Sequence, residues 1–127
     1  MLALVVDDSR AMRMILRRIM AEQGYEVVEA ADGQEALDVL EGGARPDVAL
    51  IDWNMPNVDG LELVTRIRKN SEWRSITLMM VTTESEYDQI VRALAAGAHE
   101  YVIKPFTPDA IVEKLALLGL VKNGVQV

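Results

Sequence analysis

The sequence predicts an α/β protein, a doubly wound sheet of five parallel strands with helices on both faces. Two observations carry that prediction. Short apolar runs alternate with stretches of helical periodicity five times along the chain. The runs are apolar at consecutive positions, as strands buried on both faces must be. A third observation sets the scale: 127 residues, 50% hydrophobic, suffice for one sizeable core and leave no room for a second domain.

Each element has its own signal. Leu2–Val6 is the first apolar run, and Ser9 is a plausible N-cap for a helix marked by Met12, Ile15, Leu16 and Ile19 and stopped by Gly24. Tyr25–Ala30 is the weakest strand, only partly apolar, and suits an edge. Gln34–Glu41 is a short helix closed by Gly42 and Gly43. Val48–Ile51 is the third strand, and Leu61, Val64 and Ile67 form the stripe of the next helix. Ile76–Val81 is the fourth strand, followed by a helix carrying Ile90, Val91, Leu94 and Ala95 and ended by Gly97. Tyr101–Ile103 is the fifth strand, and Ile111, Leu115 and Leu118 mark the last helix. Right-handed crossovers wind these units into a three-layer sandwich. The domain is expected to span residues 1–119, with 120–127 as a tail and no output domain attached; fraying is the blander expectation for the chain end from Gly119 on, and docking on another surface is the alternative.

Composition excludes several functions. With no cysteine there is no disulfide, thiol catalysis or thiolate metal site. No leader and no membrane-length apolar run is present, so a cytoplasmic protein without a membrane partner is expected. The net charge of −7 disfavours nucleic acid and suits a cation.

Chemistry is expected beyond the carboxyl ends of the strands, where open α/β sheets carry their sites. Four of the five apolar runs end in polar groups: Asp7 and Asp8, then Asp52, Thr82 and Lys104. In the order 2-1-3-4-5, taken by analogy with flavodoxin-like sheets, those strands are neighbours and their tips converge. Three carboxylates placed together repel unless a cation lies among them. A hard ion resolves this, and Mg2+ fits best because it keeps waters that a phosphate oxygen can replace. With Lys104 as a positive charge and Thr82 as a hydroxyl donor, the set suits phosphoryl transfer, with Asp52 as nucleophile.

The segments VVDDS, IDWNMPNVDG, MVTTE and YVIKPF, in this order and spacing, resemble the receiver domain of two-component response regulators. The likeness covers essentially the whole chain, and DWNMPN, DGLEL and KPFT are most similar to the chemotaxis regulators of that family. The resemblance implies that Asp52 is the phosphoacceptor. It makes Asp8 the direct Mg2+ ligand, Asp7 its partner through water, and the Asn54 backbone carbonyl a further ligand. Thr82 and Lys104 would bind the phosphoryl group, Tyr101 would be the aromatic switch, and the Lys104–Pro105 bond would be cis. Asn54 and Glu84 occupy positions that tune dephosphorylation. Thr83 departs from the small residue usual at its place, so it is expected to narrow access and slow both phosphotransfer and water attack. Implied partners are a histidine kinase or phosphotransfer protein, an output protein such as a flagellar switch component, and a phosphatase. The readout face would comprise Ile90, Leu94, Tyr101, Ile103 and Lys114. The chain would then be a signalling protein, not an enzyme beyond its own phosphorylation and dephosphorylation. The alternative role is a phosphorelay shuttle or phosphate sink.

Blander readings compete residue by residue. Asp7 and Asp8 alone suit a helix N-terminus, and Asp52 alone suits an Asx turn. Thr82 and Thr83 are also ordinary strand-end residues, and Lys104 an ordinary surface lysine. Tyr101 alone could be a strand aromatic with its hydroxyl in water. Trp53 reads as loop packing, His99 as surface, and the methionines of the first helix and fourth strand as core filler. Convergence of the strand tips favours the site for Asp7, Asp8, Asp52, Thr82 and Lys104, whereas the bland readings are kept for Thr83 as a strand-end residue, for Trp53, for His99 and for the methionines. A calcium loop beginning at Asp52 fails, because its sixth place is Asn57 and its twelfth Leu63. An aspartyl-nucleophile phosphatase of the haloacid dehalogenase type needs an acid where Asn54 stands. A flavodoxin needs a Ser/Thr- and Gly-rich loop after the first strand, which is absent.

Overall fold

The computed structural model describes residues 1–121. Its strands are β1 (Leu2–Val6), β2 (Glu26–Ala30), β3 (Val48–Ile51), β4 (Thr77–Thr82) and β5 (Glu100–Ile103). The helices are α1 (Arg10–Glu22), α2 (Gly33–Glu41), α3 (Gly60–Lys69), α4 (Tyr87–Ala96) and α5 (Pro108–Leu117), with a 3-10 turn at Ser71–Trp73. All strands pair in parallel, in the order β2-β1-β3-β4-β5.

Alternation along the buried strands divides the core in two. Leu4, Val6, Ala49 and Ile51 face Leu40, Leu63, Ile67 and Ala93, so α2, α3 and α4 cover one side. Ala3, Val5, Val48 and Leu50 face Leu16, Met20, Ile111 and Leu115, so α1 and α5 cover the other. All four residues of β3 are fully buried, which accounts for its unbroken apolar run.

Several expectations are corrected. Tyr25 lies outside β2, because its N–H bonds to the Met20 carbonyl at 3.1 Å and closes the end of α1. Ile76 likewise bonds to Trp73, so β4 starts one residue later and takes in Thr82. The tail does not fray where it begins: the Leu120 carbonyl accepts the Tyr25 hydroxyl at 2.6 Å, and Val121 packs on the core. The rest of the expected tail, 122–127, lies outside the described residues. Ile15 is 48% exposed and Met14 59%, so neither fills the core. They line a shallow groove between α1 and Pro108. On α4 it is Ala93 that is buried, whereas Val91 and Leu94 are each 44% exposed. The apolar stripe of that helix therefore faces outward.

Candidate functional site

The sheet ladder carries the polar tips to one edge. The Asp7 N–H bonds to the Ala30 carbonyl at 3.1 Å and the Asp52 N–H to Val6 at 2.9 Å. Lys104 N–H bonds to Thr82 at 2.9 Å. Asp7, Asp52 and Lys104 thus directly follow the last residues of β1, β3 and β5, Thr82 is itself the last residue of β4, and all four inherit the rigidity of the sheet. Among the described residues, the buried polar or charged residues are Asp7, Asp52 and Thr82. All three belong to this site. Buried polar groups are costly unless something compensates them, so their confinement to one spot marks a purpose beyond packing.

One carboxylate oxygen each from Asp7, Asp8 and Asp52 lies within 4.8 Å of the others. Asp8 is exposed, whereas Asp7 is 1% and Asp52 8% exposed. The Lys104 ammonium lies 2.7 Å from Asp7 Oδ2 and 3.5 Å from Asp52 Oδ2. Asp7 Oδ1 accepts from the Ser9 N–H at 2.8 Å, and the Ser9 hydroxyl caps α1 by accepting from Met12 at 3.2 Å. Asp52 Oδ1 accepts from the Trp53 N–H at 2.8 Å. Burial pushes the Asp52 carboxyl above the usual carboxylate range; Lys104 and a Thr82 hydrogen bond pull it back, and Asp7 pushes it up again. Three acids with one ammonium leave unbalanced negative charge, and an all-oxygen donor set fits a hard divalent cation.

The surrounding residues fall into place around this centre. The Thr82 hydroxyl accepts from the Glu84 N–H at 3.3 Å, and the Asn54 amide donates to the Glu84 carboxylate. Thr83 is exposed beside them. The Tyr101 hydroxyl donates to the Glu84 carbonyl at 2.7 Å, and its half-buried ring packs on the core. Burial holds that phenol above its ordinary range, helped by negative charge on Glu84 and Asp52, which keeps it a donor. The Lys104–Pro105 bond is cis. Gly60 lies so close under the acceptor that a Cβ there would meet the Asp52 carbonyl oxygen at 2.2 Å.

Of the expected readout residues, Leu94 and Ile103 are exposed at 44% and 42%, and Ile90 and Tyr101 are half-buried. Lys114 pairs with Glu100 at 2.9 Å. Tyr87, 79% exposed, extends this surface and was not among the residues read from the pattern. Two arginines were also missed. Arg13 reaches the Asp7 backbone carbonyl at 2.6 Å, and the Arg92 guanidinium sits 6.0 Å from the centre of the Trp53 ring. Neither has a local signal, since arginines on a helix are usually solvated. His99 is exposed, yet its Nδ1 accepts from the Leu78 N–H at 3.1 Å and lies 3.1 Å from Arg68 Nη2.

Comparison with known proteins agrees with this geometry. A family model described as the response regulator receiver domain matches residues 3–116. The chain belongs to that family. It is 43% identical over 116 residues to the chemotaxis protein CheY1 of Helicobacter pylori, spanning 91% of this chain and 94% of that protein. To the chemotaxis protein CheY homolog of Campylobacter jejuni it is 42% identical over 113 residues, spanning 88% of this chain and 87% of that one. The solved structure of Vibrio cholerae CheY4 superposes with a TM-score of 0.84 at 36% identity, covering 91% of this chain and 96% of that one. The protein is thus a receiver domain related to CheY chemotaxis regulators. No described helix is long and apolar enough to cross a membrane.

Proposed function

We propose that Asp52 accepts a phosphoryl group from a histidine kinase or phosphotransfer protein and that this switches the face built from α4, β5 and α5. One carboxylate oxygen of Asp52 attacks the phosphorus of a phosphohistidine. An O–P bond forms as the N–P bond breaks, and the electron pair leaves with the imidazole nitrogen. Asp7, Asp8, Asp52 and the Asn54 carbonyl would hold Mg2+, which when bound neutralises charge on the entering group. Lys104 moves its ammonium from the Asp7–Asp52 pair to a phosphoryl oxygen. Thr82 turns its hydroxyl to donate to another. The observation that carries this reading is the confinement of buried polar or charged residues, among those described, to Asp7, Asp52 and Thr82.

The readout follows from the Glu84 loop. Drawing Thr82 toward a phosphoryl group pulls on the Glu84 N–H, and Glu84 also holds the Tyr101 hydroxyl through its carbonyl. New charge on Asp52 therefore biases the position of Tyr101, a two-state element. Tyr87, Val91, Leu94 and Ile103 offer an apolar surface for a partner helix. We take that partner to be a flagellar switch component, because the relatives named above are chemotaxis proteins. The protein acts as a phosphoacceptor rather than a turnover enzyme, a phosphatase partner resets it, and it works in the cytoplasm without nucleic acid or membrane. Pull-down of flagellar switch protein with and without beryllofluoride, a phosphoryl mimic, tests the output. Capture only with beryllofluoride supports it. Equal or no capture, with phosphate passing instead to a second phosphotransfer protein, would establish the shuttle or sink role.

A further inference from the structure

The carboxylates of the acid cluster are not held alike. Asp7 is fixed through both oxygens, by the Ser9 N–H and by Lys104, and Asp52 by the Trp53 N–H and Lys104. The exposed Asp8 carboxylate has no hydrogen-bond partner among the described residues. Its direction must come from its backbone. The Asp7 carbonyl and the Asp8 nitrogen share one rigid peptide plane, so whatever holds that carbonyl also sets the start of Asp8. Arg13 holds it: Nη1 donates to the carbonyl oxygen at 2.6 Å. The guanidinium is itself clamped, with Nε 3.1 Å from Glu29 Oε1, and the other Glu29 oxygen lies 2.6 Å from Arg17 Nη1. Arg13 is only 16% exposed on its side chain. Glu29 belongs to β2, so the clamp ties α1, β1 and β2 together directly behind the acid pair.

We propose that Arg13 is a positioning residue for the metal-binding acid pair, setting the peptide plane that aims Asp8, with Glu29 orienting Arg13. The proposal rests on the reading of Asp7, Asp8 and Asp52 as the cation site. Arginine suits the task better than lysine, because its planar fork serves a carbonyl and a carboxylate at once in a fixed geometry. Residues supporting a metal's ligands typically change affinity by about 10–100-fold when lost. Arg13→Gln is therefore expected to weaken divalent binding by roughly tenfold. Glu29→Gln should weaken it less, and adding Glu29→Gln to Arg13→Gln should cost little more, because the two act through one contact.

The test is titration with Mn2+, an oxygen-liganded divalent probe, counting free ion by electron paramagnetic resonance. Thermal unfolding of the metal-free variants runs in parallel. A weaker Mn2+ affinity in Arg13→Gln, partly recovered in Arg13→Lys, supports the proposal. A lowered unfolding temperature with unchanged Mn2+ affinity overturns it and leaves Arg13 a purely structural residue. If Arg13→Gln does not fold, Arg13→Lys and Glu29→Gln carry the same comparison, and wild-type affinity in both overturns the proposal. Asp8→Asn separates the two levels. Weakened binding in Asp8→Asn with wild-type binding in Arg13→Gln refutes the positioning role alone, whereas unchanged binding in Asp8→Asn refutes the cation site and the proposal with it.

Discussion

The ammonium of Lys104 lies 2.7 Å from Oδ2 of Asp7, a carboxylate only 1% exposed. One largely buried ammonium thus stabilises an acid cluster that would otherwise repel itself. Removing one partner of such a pair strands a buried charge, and costs of about 3 kcal/mol are typical. Lys104→Met should lose about that much stability in metal-free urea unfolding. Mg2+ should restore more stability to this variant than to the wild type, since added positive charge then meets a greater need. Equal Mg2+ stabilisation of both proteins would show that Lys104 does not neutralise the cluster.

Gly60 makes the floor of the acceptor. An added Cβ would meet the Asp52 carbonyl oxygen at 2.2 Å and Trp53 Cα at 2.8 Å, and both are backbone atoms. Gly60→Ala should cost about 2 kcal/mol through overpacking and slow phosphorylation by moving Asp52. Chemical denaturation and a phosphorylation time course read the two effects. A stable variant with wild-type kinetics would show that the strand tip yields freely.

His99 predicts a pH dependence. Partial desolvation of the ring, in a residue exposed overall, lowers its pKa, and the neighbouring Arg68 lowers it further. Because the folded value is depressed, the unfolded chain takes up the proton first as pH falls. The stability contributed by neutral His99 is therefore complete above its ordinary value near 6.5 and is lost as pH falls from there through the folded value. Its Nδ1 could no longer accept from Leu78. Thermal midpoints of the wild type should fall between about pH 7 and 5, and His99→Asn, which keeps an acceptor without titrating, should show a shallower fall. Parallel curves for the two proteins would remove His99 from the account.

Thr83 tests access to the acceptor. It is exposed beside Glu84, next to the buried Thr82. Thr83→Ala should accelerate both phosphorylation by acetyl phosphate and decay of the phosphorylated form severalfold, with little change in unfolding. Unaltered decay would mean that the side chain leaves the attacking water's path open.

What the sequence made legible, and what it hid, has a physical pattern. The site was readable because an apolar run ending in Asp7, Asp52 or Lys104 breaks the burial rule at a place where only chemistry excuses it. Tyr25 was misread because a tyrosine fits a strand as well as the turn whose N–H it closes, and only its bond to Met20 decides. On α4, periodicity gives the spacing of apolar residues but not which side they face. Here the core accepts Ala93, and Val91 and Leu94 are left outside. Arg13 and Arg92 were invisible because their partners, a backbone carbonyl and an indole face, lie in other elements. Strand order came from analogy and not from the pattern, because the sheet's lateral order is a long-range property.

The central claim is that Asp52 carries the phosphoryl group, and chemical trapping tests it most directly. The protein is incubated with Mg2+ and acetyl phosphate, then quenched with borohydride, which reduces an aspartyl phosphate to homoserine, and the peptides are sequenced by mass spectrometry. Homoserine at position 52, absent without Mg2+ and absent from Asp52→Asn, is the predicted result. Aspartate retained at position 52, or homoserine at another acid, would contradict it.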